Sequence, residues 1–146
     1  MQTHFLRTIG WLLLLLFMLA EPAQAQAVKS SQVQVARQFL LAVLAGNWEG
    51  AYQLLSPVTQ RQMPLPAFRA ATQPIIDQAR TYGPVIDLYK LGYRLREEET
   101  IQPFVGFTYR ADSLRPGPHV QLDVTFQDSA ARQIQGFSII PLRISK

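Results

Sequence analysis

Asp87 is the residue most able to do chemistry. If the chain beyond Pro84 alternates strictly, Val85, Asp87, Tyr89, Leu91, Tyr93 and Leu95 share one face, and Asp87 is the single carboxylate on that largely apolar phase. A carboxylate turned into the interior is what proton abstraction from a bound substrate would use. Desolvation there would raise its pKa. Tyr52, Tyr89 and Tyr109 are the hydroxyls that could work beside it. The plainer alternative leaves Asp87, three residues after Pro84, at a strand rim in water.

Other reactive groups are sparse. His119 falls on a polar strand phase beside Pro118, and a lone histidine without nearby carboxylates builds no metal site. The chain has no cysteine, which removes a thiol nucleophile, a zinc–thiolate cluster, a disulfide framework and a lipid-bearing cysteine. No Ser-His-Asp arrangement, phosphate loop or metal-ligand spacing occurs, so neither metal nor cofactor is expected. Lys90, Arg94, Arg96 and Arg110 share the opposite face of the first two strand runs. They could meet an anionic polymer, lipid headgroups or an acidic partner, or simply keep an exposed sheet face soluble.

The elements that position these residues divide into helices first and strands after. A first helix starts at the Ser30-Ser31 cap. Its apolar residues, among them Val35, Phe39, Leu40 and Val43, cover so much of the girth that it must be covered on two sides, unlike a surface recognition helix. Gly46 ends it and Asn47 caps a second helix, with Trp48, Ala51, Tyr52 and Leu55 on one face, stopped by Ser56-Pro57. A third helix is predicted from Pro66 to Thr81, bent at Pro74 and ended by Gly83-Pro84. Four strand runs follow: Val85 to Arg96, with a bulge expected at Gly92, then Pro103 to Ala111, His119 to Gln127 and Gln133 to Arg143. Short polar or Gly/Pro turns join them into an antiparallel meander, giving an α+β fold with three helices packed on a four-stranded sheet. Val105, Phe107, Tyr109 and Ala111 on the second run, and Val120, Leu122, Val124 and Phe126 on the third, form the predicted inner faces.

The amino terminus speaks to compartment. Arg7, the apolar run from Ile9 to Ala20, Pro22 and Ala23-Gln24-Ala25 make a signal peptide, residues 1–25, with cleavage expected after Ala25. Twelve apolar residues make a poor permanent membrane anchor, so membrane contact is expected only before cleavage; the alternative is an uncleaved anchor that holds the domain at the membrane. The product is an exported domain, periplasmic or secreted, covering residues 26–146. Removing residues 1–25 takes away one arginine and one glutamate, so the net charge of +4 is unchanged. Its arginines are scattered and form no compact basic stripe, which argues against nucleic acid as a partner.

The stretch "GNWEGAYQLLSP", a following helix that carries phenylalanine, four strands and the closing "IQGFSIIPL" together resemble secreted bacterial members of the nuclear transport factor 2-like superfamily. More closely, the pattern is similar to a family of unknown function within it. The resemblance covers Val28 to Leu142 and includes no catalytic motif. It implies a cone of three helices against a curved antiparallel sheet, sometimes enclosing a pocket and often dimerising through the sheet. Pro74 and Leu65 depart from the pattern. Superfamily enzymes such as steroid isomerases and dehydratases place an acid/base pair inside the cone, which is where Asp87 would have to lie. Trp48 and Tyr52, bent back by Gly46 and Asn47, would close its open end or simply pack in the core.

These readings lead to an exported, non-enzymatic binding or interaction module. Trp48, Tyr52, Asp87, Tyr89 and Tyr109 would be its ligand contacts, a small apolar molecule its ligand, and a homodimer through the polar sheet face its assembly. Two alternatives stand beside it: an isomerase- or dehydratase-like enzyme using Asp87, and an envelope-surface protein binding anionic polymer or lipid through the basic face. A ligand-sized interior cavity reaching Asp87 would favour the enzyme; an interior filled by Phe107, Tyr109, Leu122 and Phe126 would favour the module.

Overall fold

Ser31 opens the first helix with a reciprocal cap: its hydroxyl accepts from the Gln34 amide, and the Gln34 side chain accepts from the Ser31 amide. The structure, a computed structural model, describes residues 29–97 and 100–142; the signal peptide and Arg143 lie outside the described residues. Helix α1 (Gln32–Leu44) ends at Gly46, whose φ of 72° suits glycine, and the amides of Gly46 and Asn47 return to the carbonyls of Val43 and Ala42. The Asn47 side chain then accepts from the Gly50 amide and caps α2 (Trp48–Tyr52).

Ser56-Pro57 does not merely stop that helix. Ser56 caps a further short one, α3 (Pro57–Gln62), with proline in its first turn. Helix α4 (Leu65–Tyr82) continues through Pro74 and is closed by Gly83 at φ 80°. The three-helix expectation therefore needs correcting: the described residues hold five helical segments, the fifth being α5 (Arg110–Ser113) between the second and third strands. Arg110 and Ala111, expected in a strand, belong to that turn of helix.

The sheet is an antiparallel meander in the order β1 (Ile86–Leu95), β2 (Ile101–Tyr109), β3 (Val120–Phe126), β4 (Ile134–Pro141), with β1 and β4 at its edges. β1 and β2 pair along their full length, but β2 pairs with β3 only from Phe104 to Phe107. The outer part of the β1–β2 hairpin thus runs past β3 as a two-stranded arm. Pro103, which has no amide proton for a second ladder, lies in that part.

Helices α1 and α4 cover one sheet face. Val35, Phe39, Leu40 and Val43 of α1 and Phe68 and Ile75 of α4 meet Val105, Phe107 and Tyr109 of β2 and Leu122, Val124 and Phe126 of β3, all buried. The aromatic rings interlock: Phe68 stands edge-on to Phe137 at 5.6 Å between centroids, and Phe39 lies 5.2 Å from Phe137. Full burial of each such side chain contributes roughly 1.5–3 kcal/mol. The start of β4 is tied to the helical layer, since the Ser56 amide donates to the Ile134 carbonyl at 2.8 Å and the Ile134 amide to the Leu54 carbonyl at 2.9 Å.

The bulge sits at Tyr89, not Gly92. Leu88 pairs with Phe107 and Lys90 with Gly106, so Tyr89 is the extra residue. Alternation therefore breaks midway along β1. Ile86, Leu88, Leu91, Tyr93 and Leu95 register with the helix-facing residues of β2, whereas Asp87, Lys90, Gly92 and Arg94 register with Thr108, Gly106, Phe104 and Gln102 on the outer face.

Candidate functional site

The bulge decides where Asp87 goes. It lies on the outer face opposite Thr108, and Arg110 holds it with two hydrogen bonds, Nη2 to Oδ1 at 2.7 Å and Nε to Oδ2 at 2.9 Å. The Arg110 hydrogen bonds pull its pKa below the ordinary aspartate value, outweighing the opposing desolvation. It is an ionised, solvated carboxylate, with none of the raised basicity that an interior base needs. Tyr109 lies across the sheet from it. That tyrosine is buried, stacks on Tyr82 at 5.8 Å and donates its hydroxyl to the Ile75 carbonyl at 2.5 Å; burial pushes its pKa up.

The remaining expected contacts are also spoken for. The Tyr52 hydroxyl donates to the Gln60 carbonyl at 2.9 Å, and its ring packs 5.4 Å from Phe68. Trp48 is half-buried beneath the Arg69 guanidinium, 5.1 Å from the ring, and Arg69 in turn pairs with Glu49 at 2.7 Å. Tyr89 is exposed at the bulge with the Lys90 ammonium 5.4 Å from its ring. Trp48 and Tyr52 thus belong to the α2–α4 contact, Tyr109 to the far half of α4, and Asp87 and Tyr89 to β1. None of the clefts found among the described residues is lined by any of the five.

The outer sheet face holds what sequence reasoning did not anticipate. Arg94, expected as a free surface cation, lies across the sheet and clamps Asp123 through both terminal guanidinium nitrogens, Nη1 and Nη2, at 2.5 and 2.9 Å. Its guanidinium also sits 4.3 Å from the centroid of the Phe104 ring. Asp123 is only 1% exposed, although its strand phase is polar. Gln121 donates to the same carboxylate at 2.9 Å and lies over Gly106, where a Cβ would come within 2.9 Å of its amide. Phe104 likewise lies over Gly92, where a Cβ would meet its ring at 2.8 Å. Further along, Arg96 donates to Gln102, and Gln102 to Gln135 on β4. Two of the four cations assigned to a basic face, Arg94 and Arg110, are therefore neutralised by carboxylates. The glycines at 92 and 106 were the available signal, since each leaves room for a side chain lying flat on the sheet.

A second arrangement joins Asp112 and His119, seven residues apart. The fully buried Asp112 carboxylate accepts from the amides of His119 and Val120, at 2.7 and 3.0 Å, and meets His119 Nδ1 at 2.7 Å. His119 therefore does have a carboxylate beside it, contrary to expectation. The Ser113 hydroxyl donates to the Arg110 carbonyl and not to the imidazole. The arrangement locks the entry to β3, because two backbone amides and the imidazole converge on one carboxylate there.

Among the described residues, no three His, Asp or Glu side chains converge to hold a metal ion, and no helix is long and apolar enough to cross a membrane. A cleft of about 320 Å³ with a mostly apolar lining lies between α4 and β4, formed by Met63, Ala71, Pro74, Ile75, Phe137 and Ile139, with Ser138 at its edge. None of the five expected ligand contacts lines it. Comparison with known proteins finds no matching family model, no matching curated protein and no matching solved structure.

Proposed function

We propose that this protein is an exported, non-enzymatic binding or interaction module of the nuclear transport factor 2-like type, working through its surface. The observation that carries the reading is the filled interior. Phe107, Tyr109, Leu122 and Phe126 are fully buried and packed against Phe39, Phe68 and Leu40. Asp87 adds support: it lies on the outer face, neutralised by Arg110, where it cannot serve an enclosed acid/base reaction. The basic-face alternative loses ground for the same kind of reason, since Arg94 and Arg110 already hold carboxylates. Export rests on the run from Arg7 to Ala25. A small apolar ligand would sit in the α4–β4 cleft, against Phe137 and Ile139.

Native mass spectrometry of protein purified from the exported fraction tests this reading. The expected product begins at Gln26 and carries no molecule that depends on Asp87. A retained small molecule lost from Asp87→Asn, or a turnover abolished by that substitution, would overturn the module in favour of the enzyme.

A further inference from the structure

Edge strand β4 is closed along its first part and open along the rest. Leu142 donates its amide to the His119 carbonyl at 2.7 Å, and the register carries that ladder back through Ile140, Ser138 and Gly136, whose backbones face β3. The residues between them, Phe137, Ile139 and Pro141, turn their backbones away from the sheet. Pro141 suits such a place because it has no N–H to leave unpaired. Nearer the start of the strand the outward groups are taken: Ile134 exchanges hydrogen bonds with Leu54 and Ser56, and the Gln135 carbonyl accepts from the Thr59 hydroxyl at 2.9 Å. Further on, the N–H and C=O groups of Phe137 and Ile139 find no partner among the described residues. Backbone polar groups beside apolar surface call for a partner, whether water or another chain.

Nothing guards this window. β1, at the opposite edge, is bent by the bulge at Tyr89 and carries Lys90 next to it, two devices that discourage pairing with a further strand. The bulge in β4 falls earlier, at Gln135, and no residue from Gln133 to Leu142 is charged. Directly alongside runs the cleft of about 320 Å³, with Met63 and α4 as one wall and Phe137 and Ile139 on its strand side. Unpaired backbone and room for apolar side chains therefore occur at the same residues. An added strand uses that combination: its main chain supplies the hydrogen bonds and its alternate side chains fill the pockets.

We propose that the open edge of β4 takes an extended, uncharged apolar segment of another polypeptide as a fifth strand. Its backbone pairs with Phe137 and Ile139, and every second side chain enters the α4–β4 cleft. The segment of chain at Leu55 already lies beside Ile134 in the parallel sense, so the new strand continues a layer that the fold has begun. A second β4 would arrive with its own α4 alongside, and the two helical walls would meet before the strands did; a bare peptide meets no such obstacle. The proposal deepens the interaction-module reading and rests on it: the partner is a peptide strand, and the apolar group received by the cleft is one of its side chains.

Fluorescence anisotropy tests it, with a labelled seven-residue peptide alternating valine and threonine and the purified chain titrated from about 1 to 500 μM. Saturable binding is expected. Methylating either the valine or the threonine amide nitrogens should give two peptides whose affinities differ at least about tenfold, since only one set faces β4. Ala71→Glu, at an exposed position on the cleft wall, should weaken the parent peptide about tenfold with unchanged circular dichroism. Absence of saturable binding overturns the proposal, as does equal binding of the two methylated peptides. So does a dimer in sedimentation velocity that Ala71→Glu dissolves, which would give the edge to a second copy. Each of these results leaves the native mass test of the module standing, while an Asp87-dependent turnover would sink the module without altering the peptide titration.

Discussion

Tyr109 shows how much one side chain can commit. Its ring belongs to the core and its hydroxyl to the Ile75 carbonyl. Tyr109→Phe should therefore cost about 1 kcal/mol at neutral pH, the net worth of one hydrogen bond, measured by urea unfolding. Its folded pKa lies above the ordinary value of 10. The stability it supports is present in full below pH 10 and is lost as pH rises past that point, because the unfolded chain ionises first. The phenylalanine variant should lose stability less steeply above pH 10 than the parent. Asp87 has the opposite sign. Arg110 depresses its folded pKa below 3.8, so its contribution is present above that value and is lost as pH falls through the folded pKa. The gap in stability between the parent and Asp87→Asn should close on acidification below pH 3.8. The sequence could show that Asp87 and Arg110 were ionisable residues near the two ends of paired strands. It could not show that they met, because one unpaired residue at position 89 changes which side of the sheet Asp87 faces.

At the scale of elements, that residue is a measurable device. Leu88 and Lys90 keep their partners Phe107 and Gly106 on either side of it, so deleting Tyr89 should preserve both registers while removing the bend and added twist of the bulge. Cross-strand nuclear Overhauser contacts between Leu91 and Val105 would check this; their loss would mean that the bulge sets register as well as shape. The outer-face glycines allow a second test. Gly92→Ala forces a Cβ into the Phe104 ring and should destabilise by about 1–3 kcal/mol. Combined with Phe104→Ala it should cost much less than the two single changes together, since the clash vanishes with the ring. Most of the elements were legible in the sequence. The 3.6-residue period from Val35 to Val43, the Gly46-Asn47 break and the clean alternation from Val120 to Phe126 each reappear as α1, the α1–α2 turn and β3. What escaped was local chemistry that overrides period. Ser56-Pro57 reads equally well as a stop or as a helix start, and Arg110–Ser113 is a single turn, too short to show a period.

The whole molecule is organised around one packed layer between helices and sheet. Phe107→Ala, central to that layer, should cost about 3–5 kcal/mol. Against a typical total of roughly 5–15 kcal/mol, such a loss brings a domain close to unfolding at body temperature. Thermal unfolding would check it, and a cost below about 1 kcal/mol would mean that the interior is looser than its burial implies. The polar face was legible only as composition. Gln121, Asp123 and Thr125 alternate with apolar residues and so read as solvent-facing, yet all are buried, Asp123 beneath the Arg94 side chain of β1. Whether a polar residue on a sheet is wet depends on what lies across from it, and that is a long-range fact.

The tie between Leu54, Ser56 and Ile134 has a consequence for how the molecule comes into being. The junction after α2 finds its backbone partner some eighty positions later, near the end of the chain. During synthesis from the amino end, the early coils emerge long before the strand that anchors them, so the finished form must wait for the last ribbon. On the proposed route of export, the chain would have to stay threadable until it is across a membrane, and so late a latch would provide that delay.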